Sequence, residues 1–192
     1  MLIYIHGFNS SPASVKARLL KERLDALGGR VAFAAPALPH RPTEAAALLD
    51  KLAVGHPRAA YVGSSLGGYY ATYLAEKHGV RAVLVNPAVR PYELLRPALG
   101  RQRNLHTGAD YEFTEQHLEE LAALEVPAIT RPERYLLMVE TGDEVLDYTQ
   151  AVARYRGCRQ LVIEGGDHGF SDFGSYLDTV LDYCGLSARG TP

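Results

Sequence analysis

Long apolar runs, charge imbalance and clustered cysteines are all absent from this chain of 192 residues. No apolar run approaches the roughly 18 residues that a membrane-spanning helix needs, and the N-terminus has neither a charged leader region nor a cleavage-site pattern. We therefore expect a soluble, cytoplasmic protein with no membrane partner. A net charge of -2 gives no electrostatic reason to expect nucleic acid as a partner.

Metal, nucleotide and disulfide motifs are missing as well. The two cysteines, Cys158 and Cys184, belong to no C-x-x-C motif or Cys/His cluster, and a reducing cytoplasm disfavours a disulfide between them. The chain has no P-loop, no G-x-G-x-x-G, no H-E-x-x-H and no EF-hand pattern. The sequence therefore predicts neither a metal nor a cofactor, and the expected partner is a small molecule.

Apolar residues, by contrast, are plentiful at 47% of the chain, which suffices for one well-buried core and is short for two. We expect a single domain over residues 1–192 with a flexible tail at 187–192. Six short apolar segments read as strands, at 2–5, 31–35, 59–62, 81–85, 135–139 and 160–163. Helical patterns lie between or after them, at 15–27, 43–54, 66–78, 145–156 and 173–183. Continuous apolar strands alternating with helices predict an α/β fold with a mostly parallel sheet covered on both faces.

Residues 92–132 interrupt this alternation, because charged and polar residues dominate there and only 114–124 has a helical pattern. Insertions of this length in compact domains are usually lids or binding elements. We expect a small cap over the active site, and a surface excursion without a function is the alternative.

The segment Gly63-Ser64-Ser65-Leu66-Gly67 matches the G-x-S-x-G pattern of a nucleophile elbow, between a predicted strand and a predicted helix. In such an elbow the serine occupies a strained corner, and glycines flank it because side chains there would clash. Ser65 is therefore the predicted nucleophile, and a glycine-rich turn with an idle serine is the alternative.

A serine hydroxyl needs a base within hydrogen-bond reach and an acid that orients the base. Asp143 follows the fifth predicted strand and His168 follows the sixth, where the carboxyl ends of parallel strands gather catalytic groups. The order Ser65, Asp143, His168 is that of the α/β-hydrolases. These three residues are the predicted catalytic triad.

Other acids and histidines compete less well for these roles. Asp147 is the main rival for the acid, whereas Glu140 lies in the strand's last turn, Glu144 is a further rival, and Asp167 adjoins the base. His6 precedes the serine in the chain, so we expect it to shape its loop. The remaining histidines fall in connections, helix ends or the insertion and are expected to be solvated: His40, His56, His78, His106 and His117.

The oxyanion of a tetrahedral intermediate needs backbone N–H donors. One is expected from Leu66, which follows the nucleophile, and the other from Phe8, in the loop after the first strand.

Five blocks carry these features: IHGFNSSP, VGSSLGGYYATYLA, VNPAVRP, TGDEVLDYTQAV and VIEGGDHGF. Together they resemble the YqiA/YcfP family of small bacterial α/β-hydrolase esterases over nearly the whole chain, and least across 101–134. The resemblance implies a compact hydrolase fold without the first two strands of the full-length version, a triad of Ser65, His168 and Asp143, and no cofactor. It also implies carboxylic ester or acyl-thioester substrates such as acyl-CoA.

Asn86, Arg90 and Tyr92 lie within one of these blocks, and no chemical step is assigned to them. One interpretation is that they position the insertion, and another is that Arg90 meets an anionic part of the substrate. The leading hypothesis for the whole chain is a serine esterase or thioesterase. Because fold and triad do not fix the reaction, a cofactor-free peroxidase, a carbon-carbon hydrolase and a non-catalytic binder are the alternatives.

Overall fold

The computed structural model describes residues 1–104 and 107–187. Its strands are β1 (Leu2–Ile5), β2 (Phe33–Ala34), β3 (Ala60–Ser64), β4 (Ala82–Val85), β5 (Gly100–Arg103), β6 (Asp110–Phe113), β7 (Tyr135–Glu140) and β8 (Arg159–Ile163). Its α-helices are α1 (Val15–Ala26), α2 (Pro42–Gly55), α3 (Leu66–His78), α4 (Pro91–Leu94), α5 (Glu115–Ala122), α6 (Tyr148–Arg154) and α7 (Leu177–Tyr183). Three short 3-10 helices cover Arg96–Ala98, Pro132–Arg134 and Phe173–Tyr176.

Six strands form one sheet in the order β2-β1-β3-β4-β7-β8, and every pairing in it is parallel. The predicted fold class, a compact α/β-hydrolase fold with a six-stranded parallel sheet, is confirmed. The carboxyl ends of all six strands meet at one edge, which is where ligands bind in open sheets of this kind.

Two hydrophobic clusters cover the two faces of the sheet. Alternate residues of each strand enter opposite clusters, because successive side chains of a strand point to opposite faces. Ile3 and Leu137 pack with α2, α3 and α5 on one face, whereas Leu2 and Leu136 pack with α1 and α7 on the other. Strands buried on both faces explain why their sequences are continuously apolar rather than alternating.

Local signals set the ends of most helices where the sequence predicts them. Ser14 caps α1, Pro42 occupies the first position of α2, and Gly79 ends α3 in the left-handed region at φ 72. The bounds of α3 agree with the prediction of 66–78. The prediction of a helix from residue 145 is wrong, because α6 begins only at Tyr148, after Asp147 accepts a hydrogen bond from the Thr149 amide as the N-cap.

The insertion contains an element that the sequence pattern does not predict. β5 and β6 form a two-stranded antiparallel hairpin outside the main sheet, between β4 and α5. Their sequences, GRQR and DYEF, are short and polar, so neither carries the apolar signal of a buried strand. α5 lies inside the predicted helical segment 114–124.

Both cysteines are free thiols. Burial raises the pKa of Cys158 to about 11 and that of Cys184 to about 12. Across the described parts of the chain, no helix combines the length and apolarity required to cross a membrane. The predicted tail lies outside the described residues from residue 188 onward, and so does His106.

Candidate active site

The corner between β3 and α3 holds the predicted nucleophile. Ser65 has φ 55 and ψ -122, a backbone conformation that L-residues rarely adopt. Three backbone hydrogen bonds hold this corner: the Ser65 amide donates to Val85 O at 3.0 Å, and Ser65 O accepts from the amides of Gly68 at 2.9 Å and Ala88 at 3.1 Å. The elbow is therefore tied both to α3 and to the chain that leaves β4.

The two glycines of the G-x-S-x-G pattern lie where the backbones pass closest. A Cβ atom at Gly63 would overlap the carbonyl of Gly67, and one at Gly67 would overlap the carbonyl of Ile5 at the end of β1. Any side chain at either position would push α3 away from the sheet. The two glycines thus allow α3 to lie close to β1 and β3, and this close packing sets the position of Ser65.

Ser65, His168 and Asp143 lie in one continuous row of hydrogen bonds. His168 Nε2 is 3.1 Å from Ser65 Oγ, and His168 Nδ1 is 2.8 Å from Asp143 Oδ2 and 3.0 Å from Oδ1. An ionised carboxylate only accepts, so Nδ1 carries the proton and Nε2 presents its lone pair to the serine hydroxyl. The structure brings together all three residues of the predicted triad in the order that proton transfer requires.

The acid of this row is firmly held, since the Asp143 side chain is only 1% exposed. Its Oδ1 also accepts hydrogen bonds from the amides of Val145 at 2.9 Å and Leu146 at 2.8 Å. These bonds fold the turn after β7 around the carboxylate. They fix its orientation toward the imidazole.

The rival acids have other partners. Asp147 accepts hydrogen bonds from the Thr149 amide and hydroxyl, at 2.9 and 2.6 Å. Glu144 accepts from the His168 amide at 3.0 Å, and Glu140 accepts from the Asp167 amide at 2.8 Å. Glu144 and Glu140 therefore contact the backbone of the histidine loop, and Asp143 is the carboxylate that contacts the imidazole.

The loop after β1 lies directly against the nucleophile. A Cβ atom at Gly7 would lie 3.2 Å from Ser65 Cβ and 3.6 Å from Ser65 Oγ. Phe8 follows, and its ring packs edge-on against Phe113 of β6 with centroids 5.3 Å apart. Within the described ranges, neither the Phe8 amide nor the Leu66 amide donates a hydrogen bond to a protein acceptor. Both N–H groups are thus available to a ligand, that of Leu66 as one of the free donors at the N-terminus of α3 and that of Phe8 from the loop after β1.

His6 holds this loop in place. It is buried, its Nε2 accepts a hydrogen bond from the Leu38 amide at 3.3 Å, and its Nδ1 lies 3.0 Å from Gly7 O. These contacts join the loop after β1 to the segment after β2. They agree with the loop-shaping role predicted for His6.

A small cavity of about 40 Å³ adjoins the elbow on the side of Phe8 and Leu66. Part of its wall is apolar, from Phe8, Leu38, Leu66, Tyr70, Phe113 and Leu121, and polar residues such as His6, Asn9 and His40 line the rest. Two open grooves, of about 270 and 590 Å³, share residues 89, 90 and 150. Both contain charged side chains: one is lined partly by Arg90, Glu93 and Asp147, and the other partly by Arg90, Glu125 and Arg154.

Arg90 lines both grooves, and its guanidinium is 3.3 Å from a Glu93 carboxylate oxygen. The carboxylate of Glu93 thus pairs with the cation that the sequence suggests for an anionic substrate group. Burial raises the pKa of the Tyr92 phenol, and Glu125 raises it further. An anion-binding role for Arg90 stays a prediction.

The insertion is joined to the loop of Phe8 by contacts that the sequence does not reveal. Asn9 donates to Gln102 Oε1 of β5 at 3.1 Å and accepts from the Tyr111 hydroxyl of β6 at 2.7 Å. The hairpin is therefore fastened to the same loop that lies against Ser65. No local pattern signals this, because the partners are about a hundred residues apart in the chain.

The prediction that His117 is solvated is wrong. It is 3% exposed, and its Nδ1 accepts hydrogen bonds from the amide and hydroxyl of Thr114, at 3.1 and 2.9 Å, which closes the N-terminus of α5. Burial lowers the pKa of the His117 imidazole, and the nearby Arg41 lowers it further. A capping box with histidine in place of glutamate or glutamine is a signal that the sequence does contain.

Metal-ligand clusters are not part of this site: residues 1–104 and 107–187 bring together no group of three or more His, Cys, Asp or Glu side chains that could hold an ion.

Solved structures share the fold over most of their length. A proposed hydrolase from Agrobacterium vitis S4 superimposes with a TM-score of 0.73 and 16% identity, covering 93% of this chain and 87% of that one. Alpha/beta hydrolase domain-containing protein 10 from mouse superimposes with a TM-score of 0.66 and 17% identity, and the match covers 94% of this chain and 89% of that one. Est1E from Butyrivibrio proteoclasticus, bound to ferulic acid, superimposes with a TM-score of 0.67 and 14% identity, and the match covers 95% of this chain and 86% of that one. At these identities the likeness establishes the α/β-hydrolase fold.

The family is established separately, by a model of the family described as "Uncharacterised protein family (UPF0227)" that matches residues 1–185. Since the match spans nearly the whole sequence, the resemblance stated above is confirmed, and this chain belongs to the YqiA/YcfP family, UPF0227.

Proposed function

We propose that this chain is a serine hydrolase that cleaves carboxylic esters or acyl thioesters. The observation that carries the proposal is the row of hydrogen bonds from Asp143 through His168 to Ser65, placed at a strained strand-to-helix corner. Such a row lets the imidazole accept the hydroxyl proton, and activated serines of this kind transfer acyl groups. The α/β-hydrolase fold supports the same chemistry.

In the proposed reaction, Ser65 Oγ attacks the acyl carbonyl carbon while its proton passes to His168 Nε2. Asp143 stabilises the resulting imidazolium and keeps Nδ1 protonated. The carbonyl electrons move onto the oxygen, where the amides of Leu66 and Phe8 donate hydrogen bonds to the oxyanion. The intermediate collapses, the bond to the leaving group breaks, and the imidazolium returns its proton to that group. Water then attacks the acyl-enzyme by the same route and releases the acid and Ser65.

The spaces on either side of the elbow support an assignment of the two halves of the substrate. The small cavity is lined by Phe8 and Leu66 and has aromatic and aliphatic side chains in its wall, so it takes the acyl chain. The groove of about 270 Å³ includes Pro87, whose neighbour Ala88 donates its amide to Ser65 O, so this groove takes the leaving group. The ferulic acid bound to Est1E, itself a carboxylic acid, agrees with an acyl-binding site on this fold.

Residues 92–132 act in this proposal as a cap. The hairpin within them supplies Phe113 to the wall of the small cavity and holds the Phe8 loop through Asn9. The cap therefore forms part of the acyl site and excludes water from it.

The test is hydrolysis of p-nitrophenyl esters of increasing acyl length, and of the matching acyl thioesters, by the wild-type chain and by Ser65→Ala and His168→Ala. We expect activity in the wild type and its loss in both variants. Ser64→Ala and His56→Ala are matched controls and should stay active. A fluorophosphonate that labels the wild type but not Ser65→Ala would identify the nucleophile directly.

A different result would redirect the assignment. Retained hydrolysis in Ser65→Ala would contradict the serine mechanism. If the wild type took the label but cleaved no ester or thioester, peroxide and vinylogous diketone substrates would test the other reactions of this fold. If it neither reacted nor took the label, the chain would be a binder.

A further inference from the structure

Asn86 lies where β4 ends, in the block VNPAVRP, to which the sequence assigns no chemical step. It is 2% exposed and has φ 41, in the left-handed region. Its backbone N–H donates a hydrogen bond to the carbonyl oxygen of Met138 in β7 at 2.9 Å. Asparagine tolerates this backbone region better than most residues, but a buried polar side chain needs partners.

The Asn86 side chain has partners on two separate segments. Its Oδ1 accepts a hydrogen bond from the Glu140 amide at 3.0 Å, at the end of β7. Its Nδ2 donates to the carbonyl oxygens of Asp167 at 3.0 Å and His168 at 3.2 Å. One carboxamide thus uses its acceptor on one segment and its donor group on the other.

These segments carry the acid and the base of the proposed triad. Asp143 lies in the turn directly after Glu140, and the second acceptor is the carbonyl of His168 itself. The third member is connected too, since Val85, the neighbour of Asn86, accepts the Ser65 amide hydrogen bond at 3.0 Å. Asn86 is the point where all three segments meet.

We propose that Asn86 is a positioning residue that fixes the Asp143 turn and the His168 loop relative to each other and to Ser65. The proposal rests on the proposed function. Glu140 and Glu144 hold the histidine loop from the β7 side through the Asp167 and His168 amides, whereas Asn86 holds it from β4 through carbonyls. Only a side chain with both an acceptor and an N–H₂ donor makes this set of bonds, so aspartate cannot replace it.

The test compares Asn86→Asp and Asn86→Gly with the wild type in steady-state hydrolysis and in the rate of fluorophosphonate labelling. Asn86→Asp keeps the size and the acceptor but loses the donor. Asn86→Gly suits the positive φ and leaves room for water to bond to the freed backbone groups, so it keeps the fold while losing the direct connection. Gln160→Glu is the matched control, because Gln160 Nε2 likewise donates to two carbonyls, of Val152 at 3.1 Å and Tyr155 at 2.8 Å, near the amino end of β8.

We expect both Asn86 variants to lower kcat and the labelling rate by about 10²-fold, because a small displacement of the reacting groups has an effect of that order. KM should stay within about two-fold, since Asn86 contacts no substrate in this scheme. The control should keep both rates. Unchanged kcat and labelling in Asn86→Gly would overturn the proposal, as would an equal loss in Gln160→Glu. A wild type that neither hydrolyses nor labels would instead refute the serine-hydrolase function, and the positioning role with it.

Discussion

Arg41 and Glu120 form an ion pair that joins the start of α2 to the insertion helix α5. The same carboxylate accepts hydrogen bonds from the amide and hydroxyl of Thr43, at 3.2 and 3.0 Å. Glu120 is 9% exposed, so this contact lies largely out of solvent. It joins the proposed cap to the main body of the fold through α2.

This contact predicts a pH dependence of stability. Burial alone raises the pKa of Glu120, but the hydrogen bonds from Arg41 and Thr43 outweigh it and leave the pKa below its usual value. A carboxyl with a depressed folded-state pKa stabilises the fold above its unfolded pKa of about 4.3, and that contribution is lost as pH falls through the folded-state value. Thermal unfolding of wild type and Glu120→Gln should differ most above about pH 5 and converge in acid. A difference that grew on acidification would contradict this.

Replacing the acid of the proposed triad should separate the two candidate aspartates. Asp143→Asn presents a carboxamide to His168 Nδ1 and favours the wrong imidazole tautomer, a change that lowers kcat about 10⁴-fold in a comparable triad. Asp147→Asn removes a carboxylate that caps α6 and does not contact the imidazole. Because Asp147 lines the groove proposed for the leaving group, its replacement should act on KM and change kcat less than about two-fold. Steady-state kinetics on one activated ester decide between them, and a larger loss in Asp147→Asn would contradict the assignment.

The close approach at Gly67 predicts a large loss of stability on adding one methyl group. Gly67→Ala places a Cβ atom into the carbonyl of Ile5, and overpacking of this kind costs about 1–3 kcal/mol or more. Gly174→Ala is the control, because a Cβ atom there meets no atom within 4 Å. Urea unfolding should show the loss in the first variant and little change in the second. Equal stability of the two variants would mean that α3 moves freely against β1.

The cavity beside the elbow predicts a preference for short acyl chains. A cavity needs about 10–15 Å³ to hold a single water molecule, so a cavity of about 40 Å³ holds only a few carbon atoms. Leu121→Ala enlarges the cavity and should move the best acyl length toward longer chains. Leu118→Ala, on the same helix, is equally buried but outside the cavity wall, so it should lose stability without that shift. An unchanged length profile in Leu121→Ala would place the acyl chain elsewhere.

The parts of this molecule that the sequence predicts are those governed by neighbours in the chain. The elbow is a contiguous motif, because the glycines that avoid a clash must flank the residue at the corner. Asp143 and His168 were found because parallel strands place their following loops at one edge. The bounds of α3 agree for a similar reason, since Gly79 is both a helix stop in the sequence and a left-handed cap in the structure.

What the sequence did not reveal depends on partners that are distant in the chain. β5 and β6 are short and rich in polar residues, and they pair with each other and bond to Asn9, which no local pattern predicts. The burial of His117 depends on packing against Phe113 and on the Thr114 cap. The role inferred for Asn86 needed the positions of both segments that it joins.

The backbone of Ser65, at φ 55, is one that glycine adopts without penalty, whereas an L-residue there carries roughly 1–3 kcal/mol of strain. Replacing Ser65 by glycine would relieve this strain and should raise the free energy of unfolding. Laboratory selection for folded yield alone would therefore favour loss of this hydroxyl, and under the proposed function the more heat-resistant variants would be inactive. Folding stability and the proposed nucleophilic role therefore place opposite demands on residue 65.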